Sequence, residues 1–320
     1  GCPYDCEFCN VVTLDGHRPR IKDKAQVLSE LDALYQYGWR GHIFVCDDNF
    51  LGNQHEIRSR FLPAIAEWMQ ANEYPFVLTA AVSIDLADHE EVMRAMVRAG
   101  FDRVTVGIES PDQESLAECT KYQNRGRDMV ASVKKIQNYG LEVQGGFIVG
   151  FDSDPTSIFQ DQIDFIQESG IVTAMVSLLF AFPGTKLYRR LERENRLLPI
   201  EVEESAYGAI NFVPKMGRET LLAGHKQILD TIYSPKHYFE RIKTFLDAYH
   251  PGDKRGEKLK LEHIKVFLES TWLLGLKVSG RRYYWALLAL ALRHQARSLP
   301  ISVRLAVTGY HFRMDIREHF

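Results

Sequence analysis

The chain has 320 residues, of which 45% are hydrophobic and 25% are charged, and its formal net charge is −3 at pH 7. This length and composition are typical of a globular protein and exclude a disordered or collagen-like chain. The slightly acidic balance argues against broad electrostatic binding of nucleic acid, which requires a basic surface.

The first residues form a short loop that carries three of the five cysteines, Cys2, Cys6 and Cys9. An odd number of cysteines, three of them closely spaced, does not suit a disulfide framework, so we expect a reducing compartment and a cytoplasmic protein. Cys46 and Cys119 are expected to remain thiols. The apolar run around Cys46 predicts that its side chain lies in the core.

Helical and strand patterns alternate after this loop. Apolar residues at helical spacing predict six helices, at residues 22–38, 56–70, 88–100, 126–140, 154–170 and 184–196. Short apolar runs predict five strands, the first of them buried, at residues 41–50, 76–84, 102–110, 141–151 and 173–182. This alternation predicts a parallel sheet with right-handed crossovers. An open doubly wound sheet and a closed or partial barrel both fit the pattern.

The alternation ends at about residue 200. A short strand is predicted within residues 205–215, a loop rich in Pro, Gly and charge at residues 250–258, and helices over most of the remainder. We therefore predict an α/β domain at residues 1–200 and a helical C-terminal region at residues 201–320. Aromatic residues and arginines of this region would suit a lipid-like substrate, whereas core packing is the ordinary explanation for Trp272, Tyr283, Tyr284 and Trp285.

No segment of the sequence predicts export or a membrane span. The N-terminal residues lack a charged region followed by an apolar stretch and a cleavage site. The longest apolar run near the end, at residues 283–292, is too short to span a bilayer and has arginines on both sides. A buried helix explains this run better than a helix that lies on a membrane surface.

The three clustered cysteines are spaced Cys-x3-Cys-x2-Cys, directly ahead of the first predicted helix. Three thiolates on one loop can bind three irons of a [4Fe–4S] cluster, which leaves the fourth iron open to a small molecule. Two other interpretations remain. A structural zinc site would require a fourth ligand, for which His17 is the nearest candidate, but the resulting spacing is not common for zinc. Three cysteines without metal would be liable to oxidation.

This loop, with an aromatic residue before its third cysteine, resembles the cluster loop of the radical S-adenosylmethionine (SAM) superfamily. The similarity extends to the segments FVCDDNF, VGIESPD, QGGFIVGFDSDP and FAFPGTKLYRRLERENRL, and to YSPKHYFERI and GYHFR in the tail. Together these segments are similar to the branch whose members contain a cobalamin (B12)-binding domain, in the group that includes the hopanoid C-2 methylase. The similarity covers nearly the whole chain.

The resemblance implies a partial (β/α)6 barrel in which Cys2, Cys6 and Cys9 hold a [4Fe–4S] cluster and SAM chelates its open iron. One electron would cleave SAM to a 5′-deoxyadenosyl radical, and in the cobalamin branch a methyl group would pass from the corrin to a substrate radical. In this fold the first strand ends just before the first cysteine. We therefore expect the barrel to lack its first strand and the cobalamin domain to lie outside this chain.

The resemblance also implies SAM contacts from residues at the strand ends and the loop. Asp47 or Asp48 would accept hydrogen bonds from the methionine ammonium group, Glu109 would bind the ribose hydroxyls, and Phe8 would lean on the adenine. Ordinary structural roles stay open for each residue. The aspartates would then cap a helix, Glu109 would be a partnered buried carboxylate, and Phe8 would simply pack.

A further implied contact is the strand that contains Gly146, Ile148 and Gly150, which resembles the motif Gly-x-Ile-x-Gly-x-x-Glu whose backbone lies against adenine. Glycines inside a strand often mark the close approach of a ligand. Ser153 stands where the motif has glutamate, flanked by two aspartates. Residues 79–81 end another strand, where the resemblance leads us to expect an acidic residue that is absent.

The sequence thus predicts a radical SAM enzyme, with a cobalamin-dependent C-methyltransferase as the first hypothesis. Its expected partners are a small-molecule substrate and an electron donor such as flavodoxin or ferredoxin. Two alternatives stay open: a radical SAM oxidoreductase, cyclase or isomerase without cobalamin, and a zinc-stabilised binding module. Beyond the cluster and SAM contacts, the sequence identifies no catalytic residue.

Overall fold

The computed structural model describes residues 1–52, 56–199, 210–250, 261–294 and 298–319. At its centre lies a parallel sheet of five strands, β1 His42–Val45, β2 Val77–Val82, β3 Phe101–Glu109, β4 Glu142–Val149 and β5 Ala174–Leu178. The strands are neighbours in chain order, whereas in a doubly wound sheet the order reverses. They curl into a half-barrel, which confirms the predicted partial barrel.

Helices connect the strands and pack on one face of the sheet. They are α1 Val11–Asp15, α2 Lys24–Gln36, α3 Leu62–Ala71, α4 Glu90–Arg98, α5 Gln113–Glu118, α6 Met129–Asn138, α7 Ile158–Ser169 and α8 Lys186–Arg193, with a π-helical turn at Ile57–Phe61 before α3. The six predicted helices are confirmed. The short helices α1 and α5 were not predicted, because five or six residues are too few to show a helical period.

The sheet has one covered face and one open face, as the alternation along β4 shows. Val143, Phe147 and Val149 are buried, whereas Gln144 and Ile148 are only half-buried on the opposite face. The open face continues into the neighbouring strands through the paired positions Thr105 and Gln144, Gly107 and Gly146, and Ile148 and Ser177. The half-barrel therefore presents a face of small and polar residues that leaves room for a ligand.

The position of β1 at the edge of the sheet corrects two predictions. Within the described part of the chain, β1 pairs with β2 alone. Phe44 is 45% exposed and Cys46 is also exposed, so the predictions of a buried first strand and of a core position for Cys46 are wrong. A short apolar run does not reveal whether a strand lies at the centre or at the edge of a sheet. Cys119 is buried, as expected.

The helical C-terminal part packs on the outside of the half-barrel. Its helices are α9 Arg218–Ile232, α10 Pro235–Ala248, α11 Leu261–Trp272, α12 Arg281–His294 and α13 Leu299–His319. Both α9 and α10 contact α7. The fully buried Arg241 of α10 donates hydrogen bonds to the Gln167 side chain and to the carbonyls of Ile232 and Val172. One continuous hydrophobic core therefore extends from the sheet into these helices.

Several predictions for this region fall on residues outside the described ranges. They include the boundary at residue 200 and nearly all of the loop at residues 250–258. Part of the predicted strand within residues 205–215 is described, and there Phe212 forms an isolated antiparallel bridge with Leu197. The division of the chain at residue 200 stays a prediction.

The apolar run at residues 283–292 lies within α12. Tyr284, Leu287 and Leu288 are buried, whereas Trp285 is 48% and Leu292 is 64% exposed. The run is therefore one buried face of an amphipathic helix with additional apolar residues on its outer side. Among the described helices, none is long and apolar enough to cross a membrane.

We expect Gly224→Ala to destabilise the fold, because a Cβ at this position would lie 2.3 Å from three ring carbons of Phe159. Forcing a methyl group into a packed core costs about 1–3 kcal/mol. Urea unfolding measures this loss in the free energy of unfolding. The control Gln227→Ala, at an exposed position of the same helix, should change it by less than about 0.5 kcal/mol. Equal stability of the two variants would contradict the contact between α9 and α7.

Candidate functional site

The cysteine loop, residues 1–9, lies across the carboxyl ends of the strands. Two hydrogen bonds join it to segments that follow β2 and β3: the Tyr4 hydroxyl donates to Asp85 Oδ2 at 2.8 Å, and the Glu7 nitrogen donates to the Cys119 carbonyl at 2.9 Å. The carboxyl edge of a parallel sheet is where α/β folds bind ligands. The structure therefore brings the cysteines to the edge at which the sequence placed the SAM contacts.

Cys2, Cys6 and Cys9 are all half-buried free thiols. Burial raises the pKa of Cys6 and of Cys9, and the nearby ammonium group of Lys121 opposes this shift. Among the described residues, no three His, Cys, Asp or Glu side chains form a group that could hold a single metal ion. In a [4Fe–4S] cluster each thiolate binds its own iron. Three free thiols on one loop are a donor set that fits such a cluster.

A buried ion pair lies beside the cysteine loop at the end of β3. The Lys121 ammonium group donates to Glu109 Oε1 at 2.7 Å, and the two side chains are only 12% and 9% exposed. The backbone of Glu109 has φ = +64°, in the left-handed region that is strained for a residue with a side chain. Such strain is often found at functional sites. Glu109 thus occupies its predicted place, but with a partner that the sequence did not indicate.

The ion pair lies over Gly107 on the open face of the sheet. A Cβ at Gly107 would be 2.2 Å from Glu109 Oε1 and 2.8 Å from Lys121 Nζ, so any side chain there would displace the pair. Gly146 is the partner of Gly107 on β4, and a Cβ at Gly146 would approach the Gly107 Cα and the Val106 carbonyl oxygen no closer than 3.9 Å. Two facing glycines therefore leave bare backbone beside the ion pair.

Sequence reasoning missed the segment 121–124, which closes this side of the site. Besides Lys121, Gln123 Nε2 lies 4.0 Å from Cys6 Sγ, and Asn124 Nδ2 donates to the carbonyls of Gly107 and Ile108 at 3.0 and 2.9 Å. Gln123 Oε1 and Asn124 Oδ1 are buried without a hydrogen-bond partner in the described structure. The available signal was the polar run KYQN in a loop after a strand, since loops at strand ends often carry function.

Asp47 and Asp48 follow β1 directly. Partial burial and the neighbouring charge of Asp48 raise the pKa of Asp47, although the residue as a whole is exposed. Asn49, which follows the two aspartates, is buried and donates to Ser83 Oγ at 3.1 Å, which fixes the turn. Asp47 therefore presents a carboxylate at the strand ends.

The turn after β4 is closed by Asp154 rather than by a residue at position 153. Asp154 Oδ2 accepts hydrogen bonds from the nitrogens of Gly150 and Phe151 at 2.7 and 3.0 Å, and Oδ1 accepts one from Ser115 at 2.7 Å. Burial raises the pKa of Asp154 to about 6 despite these bonds. Gly150 has φ = +111°, which favours glycine. The acidic residue one position after Ser153 thus stabilises this turn.

Two aromatic residues of the loop also have defined partners. The Phe8 ring packs against Phe151, with the ring centres 6.2 Å apart. Burial and the hydrogen bond to Asp85 raise the pKa of the Tyr4 hydroxyl to about 12, so Tyr4 remains protonated and donates. Asp85 lies in the short helical turn Ile84–Asp88 that follows β2. Its Oδ1 is buried without a hydrogen-bond partner among the described atoms.

The family comparisons divide the chain at the start of α8. The model of the radical SAM superfamily matches residues 1–184, more than half of the chain. A second model, the domain of unknown function DUF4070, matches residues 185–319.

Among curated relatives, an uncharacterized methyltransferase of Synechocystis is 36% identical over 98% of this chain and 59% of its own length. The hopanoid C-2 methylase of Rhodopseudomonas palustris is 29% identical over 99% of this chain and 60% of its own length. The chain thus spans about three fifths of both relatives. Among solved structures, the chain superposes on the radical SAM methyltransferase TsrM of Kitasatospora setae with a TM-score of 0.62 at 15% identity. The match covers 97% of this chain and 60% of TsrM, whose structure has cobalamin and a [4Fe–4S] cluster bound. That likeness concerns the fold.

We expect Lys121→Met to destabilise the protein by about 3–5 kcal/mol at pH 7, because it leaves the buried Glu109 carboxylate without its partner. Urea unfolding at pH 7 measures this loss in the free energy of unfolding.

The double variant Glu109→Gln with Lys121→Met removes both charges and should be more stable at pH 7 than Lys121→Met alone. Lys243→Met, at an exposed position of α10, is the control and should have little effect. A double variant no more stable than Lys121→Met alone would contradict the cost that we assign to the unpaired Glu109 carboxylate.

Proposed function

The chain belongs to the radical SAM superfamily, and from this premise we propose that it forms the cluster- and SAM-binding part of a cobalamin-dependent C-methyltransferase. The observation that carries the proposal is the position of three half-buried thiols across the strand ends, beside a bare backbone surface and a buried ion pair. The methyltransferase names of the two relatives support the reaction class.

In this proposal, Cys2, Cys6 and Cys9 hold three irons of a [4Fe–4S] cluster. The bound cluster would supply one electron for the cleavage of SAM. The cationic Lys121 lies close to the cysteine loop and reduces the repulsion among the thiolates. Thiolates near a cation are favoured over thiols, so this neighbour assists cluster binding.

The same proposal assigns the SAM contacts to the open face. The Asp47 carboxylate, exposed at the end of β1, accepts hydrogen bonds from an ammonium group, and Glu109, held by its ion pair with Lys121, accepts them from ribose hydroxyls. The backbone around Gly146 receives a planar base, since no side chain covers it. Ile148 lies on the same face of β4 and gives that base an apolar contact. Gly150 supports this surface as the residue that turns the chain after β4.

Cobalamin dependence is supported by the relatives and not by residues of this chain. The relatives named above are called methyltransferases or methylases, and the TsrM structure contains cobalamin together with a cluster. A corrin can accept and deliver a methyl group that a radical mechanism alone does not supply. The substrate is proposed to be a small molecule.

We expect the anaerobically reconstituted protein to form 5′-deoxyadenosine from SAM in the presence of dithionite, as measured by chromatography. Cys6→Ala should abolish this product and lower the iron content, because it removes one of the three cluster ligands. Cys46→Ala is the matched control: this thiol is exposed outside the loop, and the variant should retain its iron. A wild-type protein that binds one zinc and no iron would contradict the cluster.

Methyl transfer is tested separately by adding cobalamin to the same reaction with the full-length protein, because this chain spans only about three fifths of its relatives. Formation of S-adenosylhomocysteine that depends on added cobalamin supports the methyltransferase proposal. Formation of 5′-deoxyadenosine without S-adenosylhomocysteine, at every cobalamin concentration, favours the oxidoreductase, cyclase or isomerase alternative.

A further inference from the structure

Helix α8 reaches back onto the cysteine loop and contacts the residues on both sides of Cys6. The Lys186 ammonium group forms an ion pair with Asp5, and the Leu187 nitrogen donates to the Glu7 carbonyl at 3.0 Å. The Glu7 nitrogen is bonded to the Cys119 carbonyl on the other side. The backbone around Cys6 is therefore held between α8 and the segment that follows α5.

Arg190 of α8 binds the Glu7 side chain in the bidentate manner that is specific to arginine. Its Nε lies 2.8 Å from Glu7 Oε1, and its Nη2 lies 3.2 Å from Glu7 Oε2. The two side chains are 22% and 14% exposed, so solvent screens this pair less than it screens a surface ion pair. Two parallel charge-assisted hydrogen bonds fix the direction of the carboxylate as well as its distance.

The same guanidinium group extends the contact to two other loops. Arg190 Nη2 donates to Glu118 Oε1 at 2.8 Å, and Nη1 donates to Asp152 Oδ2 at 2.7 Å. Arg196 binds both oxygens of Asp152, at 2.6 and 2.7 Å. Burial alone would raise the pKa of Asp152, but the hydrogen bonds from Arg196 and Arg190 lower it to about 2, so Asp152 is ionised at neutral pH.

Glu118 completes this network by accepting hydrogen bonds from the backbone. Its two oxygens accept from the nitrogens of Asp152 and Ser153, at 3.1 and 2.7 Å. Arg190 thus lies where the cysteine loop, the end of α5 and the turn after β4 meet. The contact between Arg190 and Glu7 spans 183 positions of sequence, so it is made only in the folded protein.

We propose that Arg190 is a positioning residue for the cysteine loop. Because α8 lies in the segment that the DUF4070 model matches, this contact makes that segment a part of the proposed cofactor site. This role rests on the proposed function, in which the cysteine loop binds the cluster. Glu7 is adjacent to Cys6 and two residues from Cys9. Arg190 therefore holds the backbone between two cluster ligands and neutralises the carboxylate closest to them in sequence.

The packing of α8 does not depend on Arg190. Leu187 and Leu191 are each 1% exposed and anchor the helix in the core, and Thr185 caps its start by accepting a hydrogen bond from the Tyr188 nitrogen at 3.1 Å. Replacement of Arg190 therefore removes the contact with Glu7 while the helix remains in place. The matched control is Arg193→Gln, which changes an exposed arginine on the same helix.

The first test uses the metal-free protein and does not require a cluster. Iodoacetamide alkylation of each cysteine, followed by mass spectrometry, reports how often the loop opens. Loss of a charge-assisted hydrogen bond in Arg190→Gln should speed alkylation of Cys6 and Cys9 by about tenfold, while exposed Cys46 and the control variant should not change. If Cys6 and Cys9 are each alkylated as fast in wild type as in Arg190→Gln, the proposal is overturned. This holds whether or not the protein binds a cluster.

The second test measures the midpoint potential of the reconstituted cluster by electron paramagnetic resonance during a redox titration. Arg190→Gln leaves the Glu7 charge uncompensated near the thiolates, which disfavours addition of an electron and shifts the potential to a more negative value. The double variant Glu7→Gln with Arg190→Gln should recover the wild-type potential.

Outcomes of this second test separate the two proposals. A wild-type cluster with the same potential in Arg190→Gln would overturn the role of Arg190 and leave the proposed function intact. A wild-type protein that assembles no cluster would refute the proposed function and with it the assignment of the loop. A negative shift that the double variant does not reverse would overturn the electrostatic role of Arg190.

Discussion

Three thiols on one nine-residue loop must be held half-buried over the ends of parallel strands, and the surrounding structure supplies that restraint. Within the loop, a single backbone hydrogen bond, from the Cys9 nitrogen to the Cys6 carbonyl at 3.1 Å, is formed. Such a short loop has no core of its own, so its order comes from its neighbours. Asp85, Cys119 and α8 each contact a different part of it.

The second constraint is electrostatic. A buried carboxylate and a buried ammonium group are each costly to desolvate, and the Glu109–Lys121 pair offsets this cost only because both groups lie close together over Gly107. Lys121 also lies near the cysteines, so the same cation serves the carboxylate and the thiolates. On the α8 side of the loop, Arg190 pairs with Glu7 and Lys186 pairs with Asp5. The proposed cluster loop therefore has cationic neighbours both at Lys121 and on α8.

The order of the strands and of the longer helices could be predicted, because these elements have a long enough hydrophobic period and glycines mark the helix ends, whereas α1 and α5 are too short to show one. The cysteine pattern could be recognised because all three cysteines lie within nine contiguous residues, and their role as cluster ligands stays a prediction. Exposure of Cys46 could not be predicted, since it depends on which strands pair with β1. Lys121 and Asp154 lie in short loops without a period. The contact between Arg190 and Glu7 joins opposite ends of the first 190 residues, and no local pattern encodes it.

The central claim is that the cysteine loop holds a [4Fe–4S] cluster whose fourth iron is free to bind SAM. The most direct measurement is the electron paramagnetic resonance spectrum of the reduced, reconstituted protein, recorded with and without SAM. Ligation of SAM to the open iron changes the cluster environment, so we predict a changed set of g values on addition of SAM. An iron–sulfur spectrum that is unchanged by saturating SAM, or the absence of such a spectrum, would contradict the account.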